Sequence, residues 1–267
     1  MMNEADKIWD EVKNDKTKIY QDQTMFDVFL SSIDEMKPAH YSELSEADRD
    51  KVSRNAIRYM IEIAVKKTET LELIGKENLN KLTGDDVYEI LSNNDEQQGQ
   101  IAQTLGKSIL NKLNGEHVKR LLDSSQSVGR NFMKETAEIL GKEILNKLSS
   151  TEIYYLLVYS YHIKETAEIL GEENLNKLTE LKIAGLLANS TDTSEIAKVL
   201  GKDRINSLSA NGVYSALLWS SRKRKIKEIV DILGKENINK LTGKNAYDLI
   251  DQISIWHWEP STAVYQD

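Results

Sequence analysis

One glycine sets the register of this chain. An aliphatic residue followed by glycine, and a few positions later by a Leu-Asn-Lys-Leu run, recurs along most of its length. Ile74-Gly75 leads to Leu79-Asn80-Lys81-Leu82, Leu105-Gly106 to Leu110-Asn111-Lys112-Leu113, Leu140-Gly141 to Leu145-Asn146-Lys147-Leu148, and Leu170-Gly171 to Leu175-Asn176-Lys177-Leu178. Two looser copies follow, Leu200-Gly201 with Ile205-Asn206-Ser207-Leu208 and Leu233-Gly234 with Ile238-Asn239-Lys240-Leu241. The glycines stand 31, 35, 30, 30 and 33 residues apart. Periods of this size belong to solenoids, whose units cannot bury an apolar face alone and stack on their neighbours. The expectation is an all-α fold: a right-handed α-solenoid of about six repeats of 30–35 residues, each with two helices and a short third turn.

Start and stop signals divide each unit. Thr83, Asn114, Ser149, Thr179, Ser209 and Thr242 follow the Leu-Asn-Lys-Leu runs or their variants, where a side-chain oxygen can accept from the first free N–H groups of a helix. Thr83 with Asp86, and Ser149 with Glu152, have capping-box spacing. Val87, Ile90 and Leu91 then give a first helix one apolar stripe, as do Ile153, Leu156 and Leu157. Polar stretches read as loops: Ser92–Asn94, Asp123–Gln126, Asn189–Asp192 and Ser220–Arg222. A second helix carries Ile196, Val199 and Leu200, or Ile226, Ile229, Val230 and Leu233, and stops at the glycine. A left-handed stop at C′ favours that residue. The remaining turn, such as Lys76–Leu82, points Leu79 and Leu82 inward.

Residues 1–43 do not repeat and are expected to form an N-terminal helical cap, with helices near Glu4–Lys13 and Thr24–Met36, a break at Lys37-Pro38, and Trp9 and Tyr20 as packing anchors. The array spans 44–253. Leu44-Ser45-Glu46-Ala47-Asp48 reads as a diverged repeat start, followed by a helix through Ile57, Met60, Ile61 and Ile63 to about Lys67. A last first-type helix runs from Gly243 to about Ile253. The tail, 254–267, holds Trp256-His257-Trp258-Glu259-Pro260, which could close the far end.

Composition removes several classes of function. No cysteine is present, which excludes disulfides, thiolate zinc sites and thiol nucleophiles. A net charge of −8 argues against a general polyanion binder. No run approaches the roughly 18 apolar residues of a membrane span, and Met1–Asp6 lacks a basic region followed by an apolar one, so a soluble cytoplasmic protein is expected. Abundant Lys, Glu, Asn and Ile with only 2 prolines suggest an AT-rich prokaryotic or viral gene. Gly106-Lys107-Ser108 imitates the end of a phosphate loop, but Ile101 stands where its first glycine belongs. Asn94–Leu105 fails as a calcium loop because its twelfth residue is Leu105. His40, His117, His162 and His257 form no i, i+4 pair for a metal, and Asp85-Asp86 sits in a first turn, where the helix dipole accounts for it. The expectation is a non-enzyme with no cofactor, metal or small-molecule substrate.

Three features could carry binding. The asparagines Asn80, Asn111, Asn146, Asn176, Asn206 and Asn239 recur at one place, where such a residue satisfies backbone groups in a connection. A tyrosine recurs in the first helix, as Tyr88, Tyr154, Tyr214 and Tyr247, with Lys119 and Ala184 in other units; it serves either helix packing or a contact stripe. A basic run, Arg222, Lys223, Arg224, Lys225 and Lys227, stands beside Trp219 as a solvated helix start or a docking patch for an acidic partner or phosphate backbone.

Leu82-Thr83-Gly84-Asp85-Asp86-Val87-Tyr88-Glu89-Ile90-Leu91-Ser92-Asn93 resembles the first helix of transcription-activator-like effector repeats, a family whose loops read DNA bases. The likeness covers this dozen residues of one unit. The family's glycine-rich loop is missing, unit length is irregular and the array is acidic, which fits convergence on helix-capping rules. The functional expectation is a helical-repeat protein that binds a protein partner, as an adaptor, effector or inhibitor. The alternative is nucleic-acid binding through inter-helix loops and residues 222–227.

Overall fold

The structure, a computed structural model, describes Trp9 and residues 19–20, 23–93, 97–128, 130–221 and 225–257. The helix expected over Glu4–Lys13, Trp9 apart, and the tail from Trp258 lie outside the described residues, as do the side chains of Tyr20 and Trp256. The described chain is all-helical apart from a two-residue antiparallel pairing of Ile19–Tyr20 with Gln23–Thr24. It divides into two compact units, one of residues 1–125 and 135–144, the other of 126–134 and 145–267.

The first unit contains α1 (Met25–Ser32), α2 (Pro38–Ser42), α3 (Glu46–Arg49), α4 (Arg54–Ile63), α5 (Lys67–Leu79), α6 (Gly84–Ser92), α7 (Gln98–Leu105), α8 (Lys107–Leu110), α9 (Gly115–Val128) to Ser125, and the middle of α10 (Arg130–Leu145). Buried Trp9 stacks on His40 with ring centroids 4.8 Å apart. Pro38 does not only break the chain. It opens α2 at a position where its missing N–H costs no hydrogen bond. That helix delivers Tyr41 to the core, where its hydroxyl donates to the Ile74 carbonyl (3.1 Å) and accepts from Asn78 Nδ2 (3.0 Å), and burial raises its pKa.

Three sequence expectations need correction here. Ser45 caps a helix, but only the four-residue α3; the first long helix begins after a second cap, Ser53, whose side chain accepts from Ala56 N. α3 corresponds to the short α8, because Lys81 Nζ donates to the carbonyls of Asp50 (2.7 Å) and Val52 (2.9 Å) as Lys112 does to those of Asn80 and Leu82. The helix through Ile57 ends at Ile63, where Ala64 turns extended (ψ 129°), and Lys67 Nζ covers the freed carbonyls of Ile61 and Glu62 at 2.9 Å each. Asp123–Gln126 is not a loop but the last part of α9. The hydroxyls of Ser124 and Ser125 bond back to the Leu121 carbonyl, and Ser125 Oγ, Thr136 Oγ1 and Gln98 Oε1 form a buried chain with 2.8 Å links.

The second unit contains α11 (Ser150–Val158), α12 (Ile163–Leu175), α13 (Glu180–Asn189), α14 (Thr193–Asn206), α15 (Ala210–Ser221), α16 (Ile226–Ile238) and α17 (Gly243–His257). First-type helices pack in sequence, α11 on α13, α13 on α15 and α15 on α17, while α12, α14 and α16 form the matching row. Leu156, Leu157, Leu186, Leu187, Val213 and Leu217 fill the space between them with at most 2% exposure. Burial of such aliphatic side chains supplies the main favourable term, about 25 cal/mol per Å² of apolar surface.

Each register glycine has positive φ, as expected, but its ψ is not that of a left-handed helix stop. At Gly75, Gly106, Gly141, Gly171, Gly201 and Gly234, φ lies between 68° and 76° with ψ between 159° and 170°. This region is essentially closed to residues with a Cβ. At Gly106 the N–H closes α7 on Ala102 O (2.9 Å) while the carbonyl accepts the first bond of α8 from Leu110 N (3.1 Å). The glycine is thus a joint between two helices, with no unbonded turn between them.

Candidate functional site

The recurrent lysine turns its ammonium onto the preceding copy, while the recurrent asparagine lies nearer the surface, exposed at Asn80, Asn176, Asn206 and Asn239. In the second unit Lys177 Nζ donates to the carbonyls of Asn146 (2.5 Å) and Leu148 (3.1 Å) and to Asn174 Oδ1 (2.9 Å). Lys240 repeats the set with Asn206 O (2.5 Å), Leu208 O (2.8 Å) and Asn237 Oδ1 (2.9 Å). Buried Asn174 and Asn237 donate in turn to Asn146 Oδ1 and Asn206 Oδ1, one sequence period earlier. Ser207 stands where the other copies have lysine, and there Arg204 reaches Asn176 Oδ1 (2.7 Å) and Glu172 instead. The side chains of Asn146, Asn176 and Asn206 therefore tie consecutive copies together.

Caps are shared between copies as well. Thr83 and Asp86, Ser149 and Glu152, and Thr242 and Asn245 form reciprocal pairs, and Asn114 does the same with His117. The Ser209 cap has Gly212 as its third residue, with no side chain to return the bond. Glu180 from the preceding copy replaces it: Oε1 accepts from Ser209 N (2.6 Å), the Ser209 hydroxyl and Gly212 N (2.9 Å). A β-carbon at Gly212 would collide with that carboxylate. The Ser209 hydroxyl, with the two N–H groups behind it, holds the Glu180 carboxyl below its usual range.

The four tyrosines singled out by register have different surroundings. Tyr88, in the first unit, is half-buried and stacks on His117 (centroids 5.4 Å) with the Arg120 guanidinium 5.9 Å from its ring. Tyr214 is half-buried and Tyr247 is exposed. Tyr154 lines a groove of about 570 Å³ in the second unit with Tyr155, Leu181, Lys182, Asn189 and Trp219. Of the basic run, Arg222, Lys223 and Arg224 lie outside the described residues. Lys225 Nζ donates to Ser190 O (2.8 Å) and Thr193 Oγ1 (3.2 Å), a structural engagement, and Lys227 is exposed.

The groove is assembled from three successive first-type helices, α11, α13 and α15. Tyr154 meets Tyr155 edge-on (5.3 Å, 68°), and Tyr155 lies parallel to Tyr159 one turn later (6.1 Å, 3°). Lys182 Nζ rests 4.8 Å from the Tyr154 ring centre and 5.7 Å from that of Tyr155. Asn189 Nδ2 reaches the Tyr154 hydroxyl at 3.5 Å, and burial raises the Tyr154 pKa. Gly185 lets the Tyr154 ring approach α13: a β-carbon there would stand 3.0 Å from its Cε2. Around this groove Tyr155, Tyr159, Tyr161 and Leu181 remain 39%, 70%, 85% and 56% exposed, so folding leaves large apolar side chains in water.

Register-based reading passed over Tyr155, Tyr159, Tyr161 and Lys182. A signal was present in Ile153-Tyr154-Tyr155-Leu156-Leu157-Val158-Tyr159-Ser160-Tyr161, which places four of the chain's 11 tyrosines in one short stretch. Among the described residues no group of His, Asp or Glu is arranged to hold a metal ion, and no helix is long and apolar enough to cross a membrane. No family model, curated protein or solved structure matches the chain.

Proposed function

We propose that the chain is a non-enzymatic helical-repeat protein, a right-handed α-solenoid of about six units, that binds a protein partner as an adaptor, effector or inhibitor of prokaryotic or viral origin. The repeat architecture is supported by the common glycine joint and by the lysines that donate to carbonyls one period earlier. Protein binding is carried by the groove across α11, α13 and α15, lined by exposed Tyr155 and half-buried Tyr154 and Trp219. Large aromatic side chains with a polar tip dominate the energetic centres of protein interfaces and give contact area at low entropy cost.

The test is affinity capture from cells of the source, or of its target, with the wild type and a Tyr155→Ala/Trp219→Ala variant shown by circular dichroism to be folded. A protein retained by the wild type and lost from the variant is the expected result. Equal retention by both, or none by either, contradicts this function. A second reading, nucleic-acid binding through residues 222–227, draws on the basic run and exposed Lys227. Fluorescence anisotropy with labelled DNA and RNA at two salt concentrations decides it, because phosphate contacts weaken steeply with salt.

A further inference from the structure

We infer that the groove takes an acidic peptide segment, with a carboxylate seated on Lys182 and an adjoining apolar side chain against Trp219, Leu181 and Tyr155. This rests on the reading of the groove as a protein-binding surface. Its lining comprises Tyr154, Tyr155, Thr179, Leu181, Lys182, Gly185, Asn189 and Trp219, so the single charge in it is a cation within a chain of net charge −8. Lys177, Lys225 and Lys240 of this unit donate to carbonyls and Lys198 pairs with Glu195, whereas Lys202, Lys227, Lys235 and Lys244 stand exposed outside the groove. Lys182 rests over the two tyrosine rings, and among the described residues no carboxylate pairs with it. A half-buried ammonium without an anion favours one from outside, through a charge-assisted hydrogen bond.

A second group points the same way. Thr179 occupies the cap position before α13, yet its side chain makes no cap hydrogen bond, and its N–H is served by Ser150 Oγ at 3.0 Å. Its hydroxyl is left at the groove wall for a ligand's backbone. Basic ligands are disfavoured twice, since Lys182 already rests over the tyrosine rings that a cationic side chain would use and repels like charge. A nucleic-acid strand is disfavoured because one cation cannot track a phosphate backbone, whereas tyrosine faces alone would suit its bases. Asp or Glu beside an aromatic or aliphatic residue matches the Lys182 ammonium and the apolar surface of Trp219, Leu181 and Tyr155.

The experiment pans a displayed random-peptide library on the full chain and measures the enriched peptides against wild type, Lys182→Gln, Lys182→Glu, Tyr155→Ala and Trp219→Ala, each checked for native helicity. Peptides pairing Asp or Glu with a large apolar residue are expected, with affinity falling about tenfold or more in Lys182→Gln. Panning on Lys182→Glu should select basic peptides instead. Enriched peptides that lack acidic residues, or bind Lys182→Gln as tightly as wild type, overturn the inference while leaving the groove as a protein-binding site if they still need Tyr155 and Trp219. Peptides indifferent to all the variants, or no enrichment, remove the groove reading itself and the inference with it. Lys182-dependent binding of single-stranded DNA or RNA, with no acidic peptide selected, also overturns it in favour of nucleic acid.

Discussion

Gly171 shows how much one backbone torsion can decide. Its φ of 72° and ψ of 165° suit only glycine, yet a β-carbon added there meets nothing within 4 Å. Gly171→Ala should therefore cost about 1–3 kcal/mol through backbone strain alone, read as a lower urea midpoint; an unchanged midpoint would contradict the joint. Gly212 presents the opposite case, a helical glycine kept small by a neighbouring carboxylate. The pKa of that carboxylate, Glu180, is lowered by the Ser209 hydroxyl and the N–H groups of Ser209 and Gly212. A depressed folded pKa means stability that is present above the unfolded value, about 4.3, and lost as pH falls through the folded one. Glu180→Gln should be less stable than wild type at neutral pH, and the gap between the two melting curves should shrink as pH falls below the unfolded value and close only below the depressed folded one. A gap that persists at low pH would assign the role to shape, not charge. Replacing Lys177 by Met leaves the Asn146 and Leu148 carbonyls without their donor and should cost about 1–3 kcal/mol by chemical denaturation. The glycines were legible from spacing, whereas the lysine ladder was not. A lysine in a polar connection reads as solvated, and only packing shows three oxygens converging on its ammonium.

At the scale of elements, the caps were legible because their chemistry is local. Thr83 with Asp86 and Ser149 with Glu152 close as their three-residue spacing requires. Misreadings came where polarity was equated with loop. Ser124 and Ser125 sit inside α9 with their hydroxyls bonded back to the Leu121 carbonyl, so their polarity is met within the helix, and Ser45 caps a four-residue helix as readily as a long one. The joint also defines what a missing element would restore. Ser207 leaves its copy without the lysine that elsewhere donates to the preceding Asn and Leu carbonyls, here Asn176 and Leu178. Ser207→Lys should raise stability by about 0.5–1.5 kcal/mol, seen as a higher melting temperature; an unchanged or lower one would contradict the view that a lysine donor to these carbonyls stabilises the copy.

At the scale of the whole molecule, the groove across α11, α13 and α15 was the least legible part. Tyr154, Lys182 and Trp219 come from three copies of the repeat and meet only because α11, α13 and α15 pack side by side. Reading one tyrosine per unit found Tyr154 but not the neighbours that make it a site. The central claim is that one sequence period is one structural unit, coupled to its neighbours through main-chain carbonyls. Deleting Gly201–Leu233 tests it most directly, because Leu200 then precedes Gly234 and Lys240 inherits the Asn176 and Leu178 carbonyls that Ser207 leaves unserved. Nearest-neighbour coupling leads to a shortened protein that keeps its helicity per residue and unfolds in one cooperative transition. A deletion of only Gly201–Ser215, which breaks the period, should abolish that transition. An unfolded or aggregated product from the in-register deletion would contradict the repeat architecture.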